Sequence, residues 1–364
     1  FGCDKLLEYD WWKNFGLPPR WGGLGIDNPV TGSKFKYDES LLYTNQLSEL
    51  ISGNEARLII DEKKQNAVAR AIKAQREERY EKSFNEICDR VTPEQKRALL
   101  LASEKGASCP FTTIPYERYG FCFKAKRDWL DVVRLRYRKH VPGLPRECAC
   151  GKAYSLDHSQ ICKKGGFIHM RHDGPKNLWT KWCSNVFRDV ESEPPLEPLS
   201  GEVFEHKSAK TDADARSDTR VRGFWKRCRN AFFEFRVFYP FASTHKSKSP
   251  SKLYKQIADI RRREYSERIR NVEDGDFTPM ILSSSGGMGP EMNIALKHLA
   301  RLTAAKQNVQ FSRVCGYLRA MFSFEMMRMA LICLRGSRSP WSIGENCNVG
   351  RVEDLQIATS NLRL

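Results

Sequence analysis

The sequence predicts an α+β protein: a highly charged helical first half, a small cysteine-histidine knuckle, and an α/β body in which an aromatic hairpin precedes a basic helix. Three observations carry this. Residues 54–91 are dense in Ala, Glu, Lys and Arg, with apolar side chains at Leu58, Ile59, Val68, Ile72 and Ile87, the pattern of one or two long solvated helices. Cys148, Cys150, His158 and Cys162 fall within fifteen residues. Residues 232–238 are rich in aromatics and alternate polar with apolar from Phe233 onward, which is a strand signature.

Composition narrows the partners. The 364 residues suffice for two or three domains with real cores. Lys and Arg number 61 against 44 Asp and Glu, and a net charge of +17 favours polyanions, with DNA or RNA ahead of a membrane surface. No apolar run is long enough to span a bilayer and no signal-peptide pattern opens the chain. A nuclear or cytoplasmic, unsecreted protein follows, with its 12 cysteines mostly reduced. Cys88, Cys122, Cys315 and Cys333 stand singly in apolar or helical contexts, as core thiols do. The chain opens on Phe1 rather than Met, so it reads as a piece of something longer.

Local signals set the remaining elements. Residues 16–26, followed by Asn28 and Pro29, are a Pro/Gly-punctuated turn between short elements. Thr92 caps a helix that takes Pro93 in its first turn, lets Gln95 reach back, and stops at Gly106. Residues 108–119 read as loop, and 128–139 as an amphipathic helix burying Trp129, Val132, Val133 and Leu135. Residues 142–145 mark a boundary. Asp173, before Gly174 and Pro175, reads as the N-cap of a helix running to about Val190, and the prolines of 193–198 stiffen the lead into the next strands. Residues 277–282 form a strand entering a glycine-rich turn at 283–290, which lacks the Gly-Lys-Ser/Thr ending of a nucleotide loop. Helices follow at 291–306 and 312–334, the second core-like, and the tail from Ser337 is irregular.

Two sites stand out chemically. Three thiols and an imidazole, with Gly151 available for a tight turn after the first pair, suit structural Zn²⁺ closed by four soft or borderline ligands. Lys152, Lys163 and Lys164 beside them can touch phosphates. The other site is the hairpin: Arg216, Ser217 and Asp218 on one strand and Glu234, Phe235 and Arg236 on the next, joined through 223–230. Glu234 and Arg236 then share a face. Two carboxylates can hold Mg²⁺ or Mn²⁺ beside a scissile phosphate while the cation offsets growing charge. A solvated strand face is the bland alternative, against which the aromatic neighbours of Glu234 argue for burial. His172, after Arg171, either orients a phosphate or relays a proton, or is a satisfied side chain at a helix start. Lys246, Lys248, Lys252, Lys255, Arg261, Arg262, Arg263, Arg268 and Arg270, interleaved with Tyr254 and Tyr265, outnumber Asp259, Glu264 and Glu267 and favour phosphate contact.

The order of these features resembles a known arrangement. Leu17-Pro-x-Arg-x-Gly-Gly-Leu-Gly-Ile26 is followed by a charged helical stretch, Cys-x-Cys-x7-His-x3-Cys, Arg171-His172-Asp173, an Arg-x-Asp strand, an acidic strand and a Tyr-containing basic helix. This looks like the C-terminal region of a non-LTR-type retrotransposon polyprotein. The resemblance implies a reverse transcriptase tail at 1–45, a charged helical region at 46–144, a CCHC zinc knuckle and linker at 145–175, a PD-(D/E)XK-like restriction-type endonuclease at 176–340 and an irregular tail at 341–364. It also implies nicking of target DNA to prime reverse transcription, with DNA and element RNA as partners. By the same resemblance Asp218 and Glu234 are the metal-binding acids, Arg216 is the basic residue before the first, Arg171 and His172 approach nucleic acid, and Arg236 stands where lysine is usual. Ser217 replaces the usual proline, and Gly174 stands where an acid often follows. Arg236 cannot shed a proton near neutral pH, so Lys255 on the next helix is the substitute base. A non-catalytic, zinc-stabilised nucleic-acid-binding remnant is the alternative.

Overall fold

A computed structural model of the chain describes residues 14–26, 28–53, 60–113, 121, 123 and 125–338. Leu58, Ile59, Cys122 and the tail at 341–364 lie outside the described residues. The chain forms two compact units, Phe1–Ser103 and Glu104–Leu364, so the division falls inside the charged stretch read as 46–144.

The first unit is helical. A 3-10 turn at Pro19–Trp21 precedes α1 (Pro29–Ser52), α2 (Glu62–Arg90) and α3 (Pro93–Ala102). Each helix starts where an oxygen side chain satisfies otherwise orphaned N–H groups: Asn28 for α1, Asp61 for α2, and for α3 the reciprocal Thr92–Gln95 capping box. Arg20 and Trp21 reach Glu77 of α2 from the turn. Glu39 of α1 pairs with Arg76 at 2.7 Å and Arg79 at 3.6 Å on α2.

The second unit is mixed α+β. Its helices are α4 (Cys109–Thr112), α5 (Lys126–Arg136), α6 (Leu156–Ile161), α7 (Phe167–Ser184), α8 (Pro250–Asn271), α9 (Pro290–Gln307) and α10 (Phe311–Arg335). Its strands are β1 (Val190–Ser192), β2 (Thr219–Arg222), β3 (Asn230–Phe238) and β4 (Asp276–Ser283), forming a four-stranded sheet in that order. β1–β2 and β2–β3 are antiparallel, while β4 returns parallel to β3 after α8.

Strand alternation divides the core. Phe233 and Phe235 of β3 join Val221, Met280 and Leu282 against α7, α9 and α10. Phe232 and Phe238 face the other way, onto Tyr265, Ile269, Leu253 and Tyr254 of α8. The hairpin connection carries more than charge: Phe224 is fully buried, and Trp225 Nε1 donates to Thr278 at 3.0 Å.

Several elements depart from the sequence reading. Arg216, Ser217 and Asp218 lie just before β2 and not on it, Cys109–Thr112 is helical within the stretch read as loop, and the helix expected to reach Val190 ends at Ser184, with Val190 opening β1. The helix does not begin at Pro175 under an Asp173 cap; α7 starts at Phe167 and passes through both. An interior proline removes a ladder bond and costs about 3 kcal/mol. Phe167, Arg171, Pro175, Leu178, Trp179 and Trp182 nevertheless form one buried stripe, and that burial outweighs the defect. Gly174 accommodates the crossing with α10, since a Cβ there would lie 2.7 Å from Glu325 Oε1 and 3.0 Å from Met329. A side chain at this position would have to displace Glu325 or Met329.

Trp179 is the hub of this core. Its ring lies 5.0 Å from Phe233, 5.6 Å from Phe224 and 6.4 Å from both Phe235 and Phe322, while its Nε1 has no hydrogen-bond partner. Trp179→Ala is expected to destabilise this unit by roughly 3–5 kcal/mol in urea unfolding. Trp179→Phe should cost much less, because it also removes a buried unpaired donor.

Candidate metal and carboxylate sites

The cysteine-histidine group assembles as a cluster able to hold a metal ion. A Glu147–Ala153 bridge closes a small loop in which Gly151, at φ +78°, makes a turn that a side chain would strain. This presents Cys148 and Cys150. Ser155 caps α6, which presents His158 and ends at Cys162. The four ligand atoms lie within 4.8 Å of one another, with Cys148 Sγ–Cys162 Sγ at 3.8 Å and Cys150 Sγ–His158 Nε2 at 3.4 Å. Around a tetrahedral ion of zinc's size, sulfur pairs stand roughly 3.8 Å apart and sulfur–nitrogen pairs roughly 3.5 Å apart. The donor set therefore fits. Burial, followed by the charges of Arg338 and Lys152, lowers the His158 pKa and favours the neutral imidazole that ligation needs.

The cluster is bound into its unit. Tyr154 donates to the Leu334 carbonyl at 2.7 Å, and Gln160 Nε2 to Ala330 O at 3.0 Å. Arg338 donates to Ser159 O at 2.9 Å and Cys333 O at 2.6 Å. Arg138 pairs with Asp157 at 2.7 Å, and Tyr239 at the end of β3 donates to the same carboxylate.

The carboxylates of the hairpin are brought together. Asp218 immediately precedes β2; its Oδ2 accepts the Phe235 N–H at 2.6 Å and lies 3.2 Å from His172 Nε2 on α7. Ser217 holds the same backbone by donating to Phe233 O at 3.3 Å. Glu234 is 7% exposed, faces α8, and its Oε2 is buried without a hydrogen-bond partner. Burial and then the charge of Asp218 raise its pKa to about 8, against the pull of Arg261, His172 and Tyr265. For His172, burial opposes the charged ring, but the hydrogen bonds and charges of Asp218 and Asp173 prevail and raise its pKa to about 9.

Other expected residues scatter. Arg236 shares the Glu234 face, beside Arg261 of α8. Lys255 is exposed and lies off the Tyr254, Ala258, Arg261, Tyr265 stripe facing the sheet, so the site's α8 cation is Arg261 instead. Arg171 is 4% exposed and donates to the Gln160 carbonyl at 2.9 Å. It is a buried brace and not a phosphate contact. Arg268 is likewise buried, donating to Lys210 O, Asp212 O and Glu197 O. Arg216, Lys246, Lys252 and Arg263 are exposed. Lys248 donates to Gln256 Oε1, while Arg262 pairs with Asp259 and Glu291.

Lys176 and Glu193 escape the sequence reading, and Asp173 takes a role other than capping. Lys176, buried on α7, pairs with Asp173 at 3.3 Å and with Glu193, whose N–H donates to Asp218 O at 3.0 Å. Their signal was the i, i+3 spacing of Asp173 and Lys176, hidden once Pro175 was taken for a helix start. The second unit thus joins a mixed four-stranded sheet to a metal-competent Cys₃His cluster and a buried Glu234 close to the half-buried Asp218. No protein-family model and no curated protein sequence matches the chain. Among the described residues, no helix is long and apolar enough to cross a membrane.

Cys162→Ser is expected to lose the bound metal by elemental analysis and to lower the melting temperature, whereas Cys228→Ser, at an exposed thiol outside the cluster, changes neither. A second prediction concerns pH. Because the folded pKa of Glu234 exceeds its ordinary value of 4.5, the folded state keeps a proton that the unfolded chain gives up. Its stabilising contribution is full below about 4.5 and is lost as pH rises through about 8. In magnesium-free buffer, Glu234→Gln should show a smaller fall in melting temperature from pH 6 to pH 8.5 than the wild type.

Proposed function

We propose that this protein is a metal-dependent DNA endonuclease module of PD-(D/E)XK type, with a structural zinc knuckle, from a retrotransposon polyprotein. The observation that carries the reading is Glu234, a carboxylate desolvated beside a second carboxylate and left with an unpartnered oxygen. Without a cation such a group keeps its proton, and its ionised form is favoured near neutral pH when a cation occupies the site. The succession α7, β1, β2, β3, α8, β4, with β3 and β4 parallel, supports the restriction-type core. The ordered motifs of the sequence support the retrotransposon origin and a nuclear or cytoplasmic place of action.

Asp218 and Glu234 would hold Mg²⁺ or Mn²⁺, which when bound supplies Lewis acidity at the phosphate and a more acidic water. Arg236 and Arg261 stand beside these acids to offset charge on a phosphodiester. Neither arginine serves as a base near neutral pH, so a water proton would pass to solvent or to a phosphate oxygen. Cys148, Cys150, His158 and Cys162 would hold Zn²⁺, with Lys152, Lys163 and Lys164 near the nucleic-acid backbone.

One observation favours a second reading. The position usual for lysine is Arg236, and Lys255 lies off the site face, which suits a zinc-stabilised binder of DNA or element RNA without catalysis. Nicking of supercoiled plasmid with Mn²⁺ separates the two. The nuclease reading expects wild type to nick and Asp218→Ala to lose at least about 10²-fold in rate while binding DNA equally. Identical behaviour of the two proteins would leave only the binder.

A further inference from the structure

We infer that His172 is a positioning residue that fixes which oxygen of Asp218 takes the metal. The inference rests on the nuclease reading and adds the group that aligns its first carboxylate. Asp218 Oδ2 accepts the Phe235 backbone N–H at 2.6 Å and makes an ion-pair contact with His172 Nε2 at 3.2 Å. Oδ2 thus carries a backbone hydrogen bond and faces the imidazole, and Oδ1 is the atom left for a cation. The same Nε2 lies 3.2 Å from the Phe235 carbonyl, which places the ring across the backbone next to Glu234.

The ring itself is held on its far side. His172 Nδ1 lies 3.2 Å from Asp173 Oδ1, so an acceptor faces each nitrogen and each nitrogen is oriented as a donor. One turn along α7, Lys176 ties Asp173 to Glu193, and the Glu193 N–H donates to the Asp218 carbonyl at 3.0 Å. A further turn along, Thr180 and Thr219 hydroxyls meet at 3.0 Å on the other side of Asp218. The helix is therefore fastened to the aspartate's own carbonyl and to the residue after it, and His172 approaches it from a fixed base. Outer partners of this kind orient metal ligands, and their loss typically weakens metal affinity 10- to 100-fold.

The test is a Mn²⁺ titration of zinc-loaded protein without nucleic acid, followed by the electron paramagnetic resonance signal of free Mn²⁺. His172→Ala is expected to weaken Mn²⁺ binding by roughly 10- to 100-fold. His172→Gln, whose amide can donate to Oδ2, should recover much of it. Zinc content and metal-free DNA affinity should stay at the wild-type level in both. His172→Leu, which fills the space without a donor, replaces the alanine variant if that protein loses its zinc. Wild-type Mn²⁺ affinity in a folded Ala or Leu variant, with Asp218→Ala losing the ion, overturns this inference and leaves the nuclease reading standing. Equal Mn²⁺ binding by wild type and Asp218→Ala overturns both. A variant that loses DNA affinity but keeps its Mn²⁺ affinity makes His172 a phosphate contact and also overturns the proposal.

Discussion

The register between β2 and β3 is the constraint from which the site follows. Thr219 opposes Phe233 and Val221 opposes Ala231, so Phe233 and Phe235 turn toward Trp179 while Glu234 turns toward α8. A slip of one residue would exchange the two faces, exposing aromatic surface to the acid's surroundings and driving the carboxylate into the apolar core. The aromatic core thus enforces where Glu234 points. The Phe235 N–H then completes the arrangement by holding Asp218, so the residue beside one acid anchors the other.

The two chemical sites share a scaffold. Arg171 of α7 braces Gln160 next to Cys162, and His172, the following residue, reaches Asp218. One helix serves both because adjacent residues point about 100° apart, one toward the metal cluster and one toward the sheet. Arg138, Asp157 and Tyr239 make a second tie, from the residue before His158 to the residue after β3.

Much of this was legible in the sequence, and the reasons differ by element. Ligand spacing identified Cys148, Cys150, His158 and Cys162, because covalent chain length limits which thiols can meet. The hairpin was legible because aromatic alternation is a strong period-2 signal, and Thr92 to Gln95 because capping is local chemistry. The start of α7 was not, since the Asp-Gly-Pro sequence is a true local helix-start signal that a buried stripe of six residues overrides. Arg171 and Arg268 misled for a related reason: a guanidinium reads as surface charge, yet five donors allow it to satisfy several buried carbonyls at once. Tyr265 and Lys176 were invisible as site residues because their roles depend on tertiary neighbours.

The continuity of α7 bears on how the protein can be divided. A cut at 175 would sever that helix mid-length and part His172 from the sheet it reaches. It would also strand Tyr154, Ser159 and Gln160 without their acceptors and donors on α10 and Arg338. The Cys148–Cys162 segment is therefore a structural wall of its own unit, which begins at Glu104.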